Sequence, residues 1–160
     1  MLKTVRSRIL FFSFFSVLSL LALALLSWSI IGKAENAAED LIQNRMHEAW
    51  LLDDLEQDLR LVQDLSFKIK GQLLLWGEIN EEYESLAESI PAKWSAIQGS
   101  AQLSAWAKDN QSIHEAVVVY LEELAEGIEE KSYYRAGKTV DFSLFAALSP
   151  LLESINDRKE

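Results

Sequence analysis

A polar position inside an apolar helical stripe is the feature of this sequence that could do chemistry. Apolar residues recur at alternating spacings of four and three from Leu55 to Leu73, and Ser66 interrupts the series. Two cations, Arg60 and Lys68, lie near Ser66 on the same predicted helix. A cation beside a hydroxyl at a helix interface would suit a carboxylate ligand through a charge-assisted hydrogen bond. Arg60, Ser66 and Lys68 are therefore candidate ligand-binding residues, unless the two cations instead pair with acids of the same chain.

Side chains of the kinds that catalysis and metal binding need are scarce. The chain has no Cys and two His, His47 and His114, which are far apart and lack metal-ligand neighbours at helical spacing. The acidic run from Asp53 to Asp58 surrounds leucines that face a core, which favours a solvated helix face over a catalytic carboxylate pair. Neither a Gly-x-Ser-x-Gly motif nor a glycine-rich phosphate loop is present in the sequence. We therefore predict no catalytic residue, no metal, no cofactor and no enzymatic activity.

Composition and charge restrict the class of protein further. The 160 residues are 49% hydrophobic and 25% charged, which is too apolar for a disordered chain and enough for one domain, with or without an appendage. The net charge of -10 argues against a nucleic-acid partner, which would require a basic face for phosphates. We expect a folded acidic domain that does not bind nucleic acid.

An uncharged apolar run covers residues 9–31 and follows a basic tip, residues 1–8, with three cations. As a helix the run would be about 35 Å long, enough to cross a hydrocarbon core of about 30 Å. Residues 33–160 carry 12 Lys and Arg against 25 Asp and Glu. Because cations stay on the cytoplasmic side, the sequence predicts a bacterial inner-membrane protein whose N-terminus is cytoplasmic and whose residues 33–160 are periplasmic or extracellular.

A cleaved signal peptide is the alternative for the same run. Residues 22–24 read Ala-Leu-Ala, which fits a cleavage site. The run nevertheless continues to Ile31, beyond the usual 7–15 residues of a signal peptide's apolar region. A retained anchor is therefore the preferred interpretation.

Helical periodicity dominates the remainder of the chain. The four-three spacing predicts a first helix over about 34–76, continuous with the apolar run. Further apolar stripes predict helices over about 81–107, 112–135 and 141–160. Ser112 and Glu115 fit a capping box at the start of the third helix. The rival position for the second turn is residues 98–100.

These elements predict an all-α fold. The architecture expected is an up-down-up-down four-helix bundle, residues 33–160, preceded by a transmembrane helix that continues into the first bundle helix. Pro91 and Pro150 lie inside the second and fourth predicted helices, where they would introduce kinks.

This layout resembles the N-terminal region of bacterial methyl-accepting chemotaxis receptors. The tract Tyr120-Leu121-Glu122-Glu123-Leu124 through Gly137, followed by Phe145-Ala146-Ala147-Leu148-Ser149-Pro150-Leu151-Leu152, is similar to the last two helices of that family's periplasmic sensor domain. The resemblance covers essentially all 160 residues and rests on layout and periodicity.

The resemblance implies partners and a mechanism. It implies a homodimer through the first bundle helix, and a small-molecule ligand or a periplasmic binding protein that docks on the bundle. It also implies a second span, a HAMP linker and a signalling hairpin, and none of these lies within the 160 residues. Ligand binding would favour one of two helix packings and slide the last helix against the first.

Three other interpretations stay open at this stage. The same input module could serve a sensor histidine kinase or a diguanylate cyclase. The chain could instead be a stand-alone bitopic helical adaptor, or a secreted helical enzyme.

Overall fold

The computed structural model describes the backbone of residues 2–159 and the side chains of residues 14–21, 23, 25, 27, 28 and 46–159. Over this part of the chain the fold is all-α, without strands. The helices are α1 (Leu2–Lys70), α2 (Trp76–Gly99), α3 (Ser104–Asp109), α4 (Gln111–Glu129) and α5 (Tyr133–Lys159). The chain divides into two units, residues 1–45 and residues 46–160.

The structure contradicts the predicted membrane location. A spanning helix needs about 20 consecutive, predominantly apolar residues. Within the residues that the structure describes, no helix is both long and apolar enough to cross a bilayer. The predicted inner-membrane location, with residues 33–160 on the periplasmic side, is therefore wrong. The side chains of the basic tip, and those at residues 9–13, 22, 24, 26 and 29–31 of the predicted span, lie outside the described residues.

The second unit holds the hydrophobic core. The last third of α1, residues 46–70, supplies Leu55, Leu59, Val62 and Ile69, each at most 1% exposed. Leu103, between α2 and α3, and apolar side chains of the other helices complete the same core. The helical residues are Ile79, Leu86, Ile90, Trp94, Ile97, Ala107, Val117, Tyr120, Leu121, Leu124, Ile128, Ala136, Val140, Leu144, Ala147, Leu148, Leu151 and Ile155. The four-three spacing therefore identified the buried face of α1 correctly from Leu55 to Ile69.

Helix α1 runs antiparallel to α2. Asp58 accepts a hydrogen bond from Ser89, whereas Lys68, further along α1, lies 3.6 Å from Glu82, which comes earlier in α2. Residue numbers thus rise along one helix as they fall along the other.

Helices α4 and α5 are antiparallel in the same sense. Ser143 donates a hydrogen bond to Glu123, and Arg135 pairs with Glu126 and Glu130 near the turn. The connection between α4 and α5 therefore reverses the chain direction, as the connection between α1 and α2 does.

Helix α5 also packs antiparallel to α1. Lys70 pairs with Asp141 near the start of α5, and Lys159 at its other end pairs with Glu56 at 2.8 Å. Helix α1 is therefore in contact with the last helix as well as with the next one.

The first turn comes earlier than the sequence predicted. Helix α1 ends at Lys70, not near Trp76, and Gln72 follows with a left-handed φ of 54°. The N–H of Leu73 donates back to the carbonyl of Lys68 at 2.9 Å, which closes the helix end. Residues 77–80, the gap between the first two predicted helices, lie inside α2. The sequence concealed the actual break because apolar residues continue through residues 73–76.

The second connection contains both of the breaks that the sequence offered. Helix α2 ends at Gly99, and the short α3 separates it from α4. Two helices, α2 and α3, therefore take the place of the single helix predicted over 81–107. The predicted capping box is wrong, since α4 begins at Gln111 with Asn110 at the N-cap position. Asn110 donates its amide N–H to the carbonyl of Trp106 at 2.8 Å and thereby ties the start of α4 to α3.

The third connection is shorter than predicted. Helix α4 ends at Glu129, not near residue 135, and α5 begins at Tyr133, not near residue 141. Lys131 adopts a left-handed φ of 51°, and the N–H of Ser132 donates to the carbonyl of Gly127 at 3.0 Å. This end repeats the geometry found after α1. Helices α2 and α5 continue as helix on both sides of Pro91 and Pro150.

Candidate functional site

Ser66 lies in the core, where it makes a polar contact between α1 and α4. Its side chain is fully buried, and its Oγ donates to the carbonyl of Val62 at 2.6 Å. The hydroxyl of Tyr120 lies 2.6 Å from the same Oγ. Burial raises the pKa of Tyr120 to about 12, an effect that the Ser66 hydrogen bond opposes. Both hydroxyl groups are thus satisfied within the protein, and Ser66 acts as a core contact.

Arg60 is placed on the outer surface of α1. Its side chain is 65% exposed and pairs with Glu56, one turn earlier, at 2.6 Å. Arg60 lines a shallow groove of about 370 Å³ together with Asp53, Gln57 and Leu61. The groove therefore combines one cation with several acids, and Arg60 is already partnered.

Lys68 is likewise partnered by acids. It pairs with Asp64 on its own helix at 2.8 Å and with Glu82 of α2 at 3.6 Å. The structure therefore does not bring the three predicted ligand residues together, since Ser66 is internal while Arg60 and Lys68 point to separate surface ion pairs.

A buried carboxylate joins α1 to α2. Asp58 is 6% exposed, and its Oδ2 accepts from the Ser89 hydroxyl at 2.6 Å and from the Lys93 ammonium group at 2.8 Å. Lys93 also donates to the backbone carbonyl of Asp54 at 3.0 Å. All these contacts are internal, so Asp58 is held as a structural ion pair. The acidic run predicted to be solvated therefore includes one buried member.

An aromatic cluster lies where α2, α3 and α4 meet. The imidazole of His114 stacks on Trp94 with ring centroids 4.2 Å apart and an interplanar angle of 5°, and Trp106 lies 5.8 Å from Trp94. His114 is 6% exposed, and its Nε2 is buried without a hydrogen-bond partner among the described residues. Burial lowers the pKa of His114, while the Glu115 carboxylate acts in the opposite direction. His114 is thus a core residue.

A second groove, between α4 and α5, was not predicted from the sequence. We refer to it as the α4–α5 groove, and its volume is about 480 Å³. The residues that line it are Ser112, Glu115, Ala116, Val119, Tyr120, Glu123, Phe142, Ser143, Ala146 and Ala147. The only sequence sign of this groove is a set of alanines at facing helix positions, which by composition look like ordinary helix formers.

Metal binding finds no support in the described part of the chain. No group of three or more His, Asp or Glu side chains there is placed to hold a metal ion. The prediction that no metal is bound stays a prediction.

Comparison with known proteins supplies no relative. The sequence matches no known protein family and no curated protein, and no solved structure is significantly similar to the chain.

Proposed function

We propose that residues 46–160 form an up-down-up-down four-helix bundle that senses a ligand for signal transduction, as in the sensor region of a methyl-accepting chemotaxis receptor. The four members would be residues 46–70 of α1 together with α2, α4 and α5. The antiparallel contacts of α1 with α2 and α5 support this arrangement. The chain would act as a transducer without catalysing a reaction.

The observation that carries the proposal is the polar contact between the first and last helices. Lys70 pairs with Asp141, Lys159 with Asp53 and Glu56, and all of these contacts involve partly exposed side chains. Exposed ion pairs contribute only about 0–1 kcal/mol each. Because they exchange partners at little cost, a small axial shift between α1 and α5 would be inexpensive, and a ligand that binds one packing better would shift the population toward it.

A homodimer through α1 is part of the same proposal. Trp50 and Leu61 are 62% and 46% exposed on the outer face of α1. Gln57 and Asp64, which line the groove beside Arg60, lie on the same face. A second copy of the chain would cover these apolar side chains. A small molecule or a ligand-loaded binding protein would be the input.

Disulfide crosslinking tests whether a ligand changes the α1–α5 packing. The chain has no native Cys, so paired substitutions introduce the only thiols. Lys70→Cys with Asp141→Cys reports on one end of the α1–α5 contact, and Asp53→Cys with Lys159→Cys reports on the other. A panel of amino acids, organic acids and amines is first screened for compounds that raise the melting temperature of the full chain.

We expect a compound that raises the melting temperature to change the ratio of the two crosslinking rates. The control pair is Lys68→Cys with Glu82→Cys, across α1 and α2, where the two charged groups lie 3.6 Å apart and no change is expected. The proposal is refuted by stabilising compounds that leave the ratio unchanged, or by a panel that contains no stabilising compound.

A further inference from the structure

The α4–α5 groove has the dimensions of a small-molecule site. Its volume of about 480 Å³ falls within the 300–1,000 Å³ that is usual for ligand pockets. Its lining extends along α4 from Ser112 to Glu123, a length of about 16 Å at the helical rise. The groove is thus elongated along α4, and suits an extended ligand better than a compact one.

The groove has apolar surfaces. Ala116 and Ala146 contribute small side chains that create the depression, and Ala147 is buried. Val119 and Phe142 are 52% and 76% exposed, so they present apolar surface to whatever occupies the groove. A methylene chain would be in contact with apolar atoms here.

Two carboxylates supply the charge of the groove. Glu115 and Glu123 are eight residues apart on α4, which places their backbones about 12 Å apart along the helix. Gln111 donates to Glu115 at 3.0 Å, and Ser143 donates to Glu123 at 3.2 Å. Both donors are neutral, and neither carboxylate has an ion-pair partner among the described side chains. The two carboxylates are therefore positioned without being neutralised.

We propose that the α4–α5 groove binds a linear polyamine, a molecule with ammonium groups near its two ends and methylene segments between them. Each terminal ammonium pairs with one carboxylate, Glu115 or Glu123, and the methylene segments cover the apolar lining between them. Charge selects this occupant, because anionic ligands are repelled by the carboxylates.

This assignment names a ligand class for the sensor proposed above, and it rests on that proposal only for its signalling consequence. Binding and signalling are measured separately. Spermidine binding without a change in the α1–α5 crosslinking ratio supports the groove and counts against the sensor. If spermidine does not bind but another compound changes the crosslinking ratio, the sensor proposal is supported and the groove assignment is refuted.

Isothermal titration calorimetry of the full chain with spermidine tests the groove directly. Each exposed charge pair contributes modestly to binding, so Glu115→Gln and Glu123→Gln should each weaken binding about threefold and the double variant about tenfold. The matched control is Glu122→Gln, because Glu122 is exposed on the same helix but does not line the groove. The control should bind spermidine as the unmodified chain does.

A steric variant separates the groove from general attraction of cations to an acidic protein. Ala146→Leu fills the depression at an exposed helix position without altering charge, and it should weaken spermidine binding at least about tenfold because the methylene segments lose their place. Circular dichroism verifies that each variant is folded. Equal weakening by Glu122→Gln and Glu123→Gln, unchanged binding by Ala146→Leu, or no spermidine binding up to millimolar concentration would overturn the assignment.

Discussion

The hydroxyl groups of Ser66 and Tyr120 lie 2.6 Å apart inside the core and connect α1 to α4. Since Ser66 donates to the carbonyl of Val62, Tyr120 is the donor of this pair. The two hydroxyl groups differ in their other hydrogen bonds. Ser66 also bonds the carbonyl of Val62, whereas Tyr120 has Ser66 as its acceptor. Removing Tyr120's acceptor leaves a buried donor unpaired, whereas removing the Tyr120 hydroxyl leaves Ser66 still bonded to its own helix.

We predict that Ser66→Ala costs more stability than Tyr120→Phe. An unpaired buried donor costs about 1–3 kcal/mol, and loss of a single hydrogen bond costs about 1 kcal/mol. The double variant should be less destabilised than the sum of the two single variants, because it leaves no orphan hydroxyl. Urea unfolding of the three variants measures these differences. Additive costs would show that the two hydroxyl groups do not interact.

We predict that the protein loses stability on mild acidification because His114 is buried. Burial lowers its pKa in the folded state. Below the ordinary histidine pKa of about 6.5 the unfolded chain therefore binds a proton that the folded chain does not. Unfolding free energy should consequently fall as the pH drops from about 7 to about 5.5, and it should stop falling at the lowered folded-state pKa. Urea unfolding at several pH values measures this slope.

One substitution assigns the slope to His114. His114→Phe retains an aromatic ring beside Trp94 and cannot titrate, so it should flatten the pH dependence in this range. An unchanged slope in His114→Phe would mean that other groups cause it.

We predict that Lys93 stabilises the fold through its ion pair with the buried Asp58. Removing one partner of a fully buried ion pair costs 3–5 kcal/mol, and Lys93 is 28% exposed, so we expect Lys93→Met to cost about 2 kcal/mol. Arg60→Met is the comparison, because the Arg60–Glu56 pair is largely exposed on the Arg60 side and should contribute less than about 1 kcal/mol. Denaturant midpoints at neutral pH measure both. Equal losses of stability in Lys93→Met and Arg60→Met would show that the burial of Asp58 does not strengthen its ion pair with Lys93.

Periodicity was sufficient to predict the all-α class and the buried face of α1. Burial repeats with the helical period, so Leu55, Leu59, Val62 and Ile69 could be identified without knowing their partners. The helix ends could not be predicted in the same way. Gln72 and Lys131 take the left-handed conformation that glycine usually provides, and nothing in their types marks a helix end. The break after Lys70 depends on distant contacts, among them the Tyr133 hydroxyl that donates to the carbonyl of Leu74.

The candidate sites were harder to predict than the fold. Ser66 was identified as a polar core position, but its partner Tyr120 is 54 residues away and no local pattern connects them. The cations near Ser66 in sequence project from other sides of α1 and find acids there. The α4–α5 groove depends on which small residues face each other across two helices, and that information exists only in the packed structure.

Two glycines that look alike in sequence should respond oppositely to alanine. A Cβ on Gly127 would lie 2.8 Å from the Cα, Cβ and N atoms of Ala136, whereas a Cβ on Gly137 would meet nothing within 4 Å. Gly127→Ala should therefore force α4 from α5 and cost about 1–3 kcal/mol. Gly137→Ala should stabilise α5 by about 0.5–1 kcal/mol, since alanine is the better helix former. Thermal and urea unfolding of both variants measure the contrast, and stabilisation of the chain by Gly127→Ala would show that the close approach of α4 to Ala136 is absent in solution.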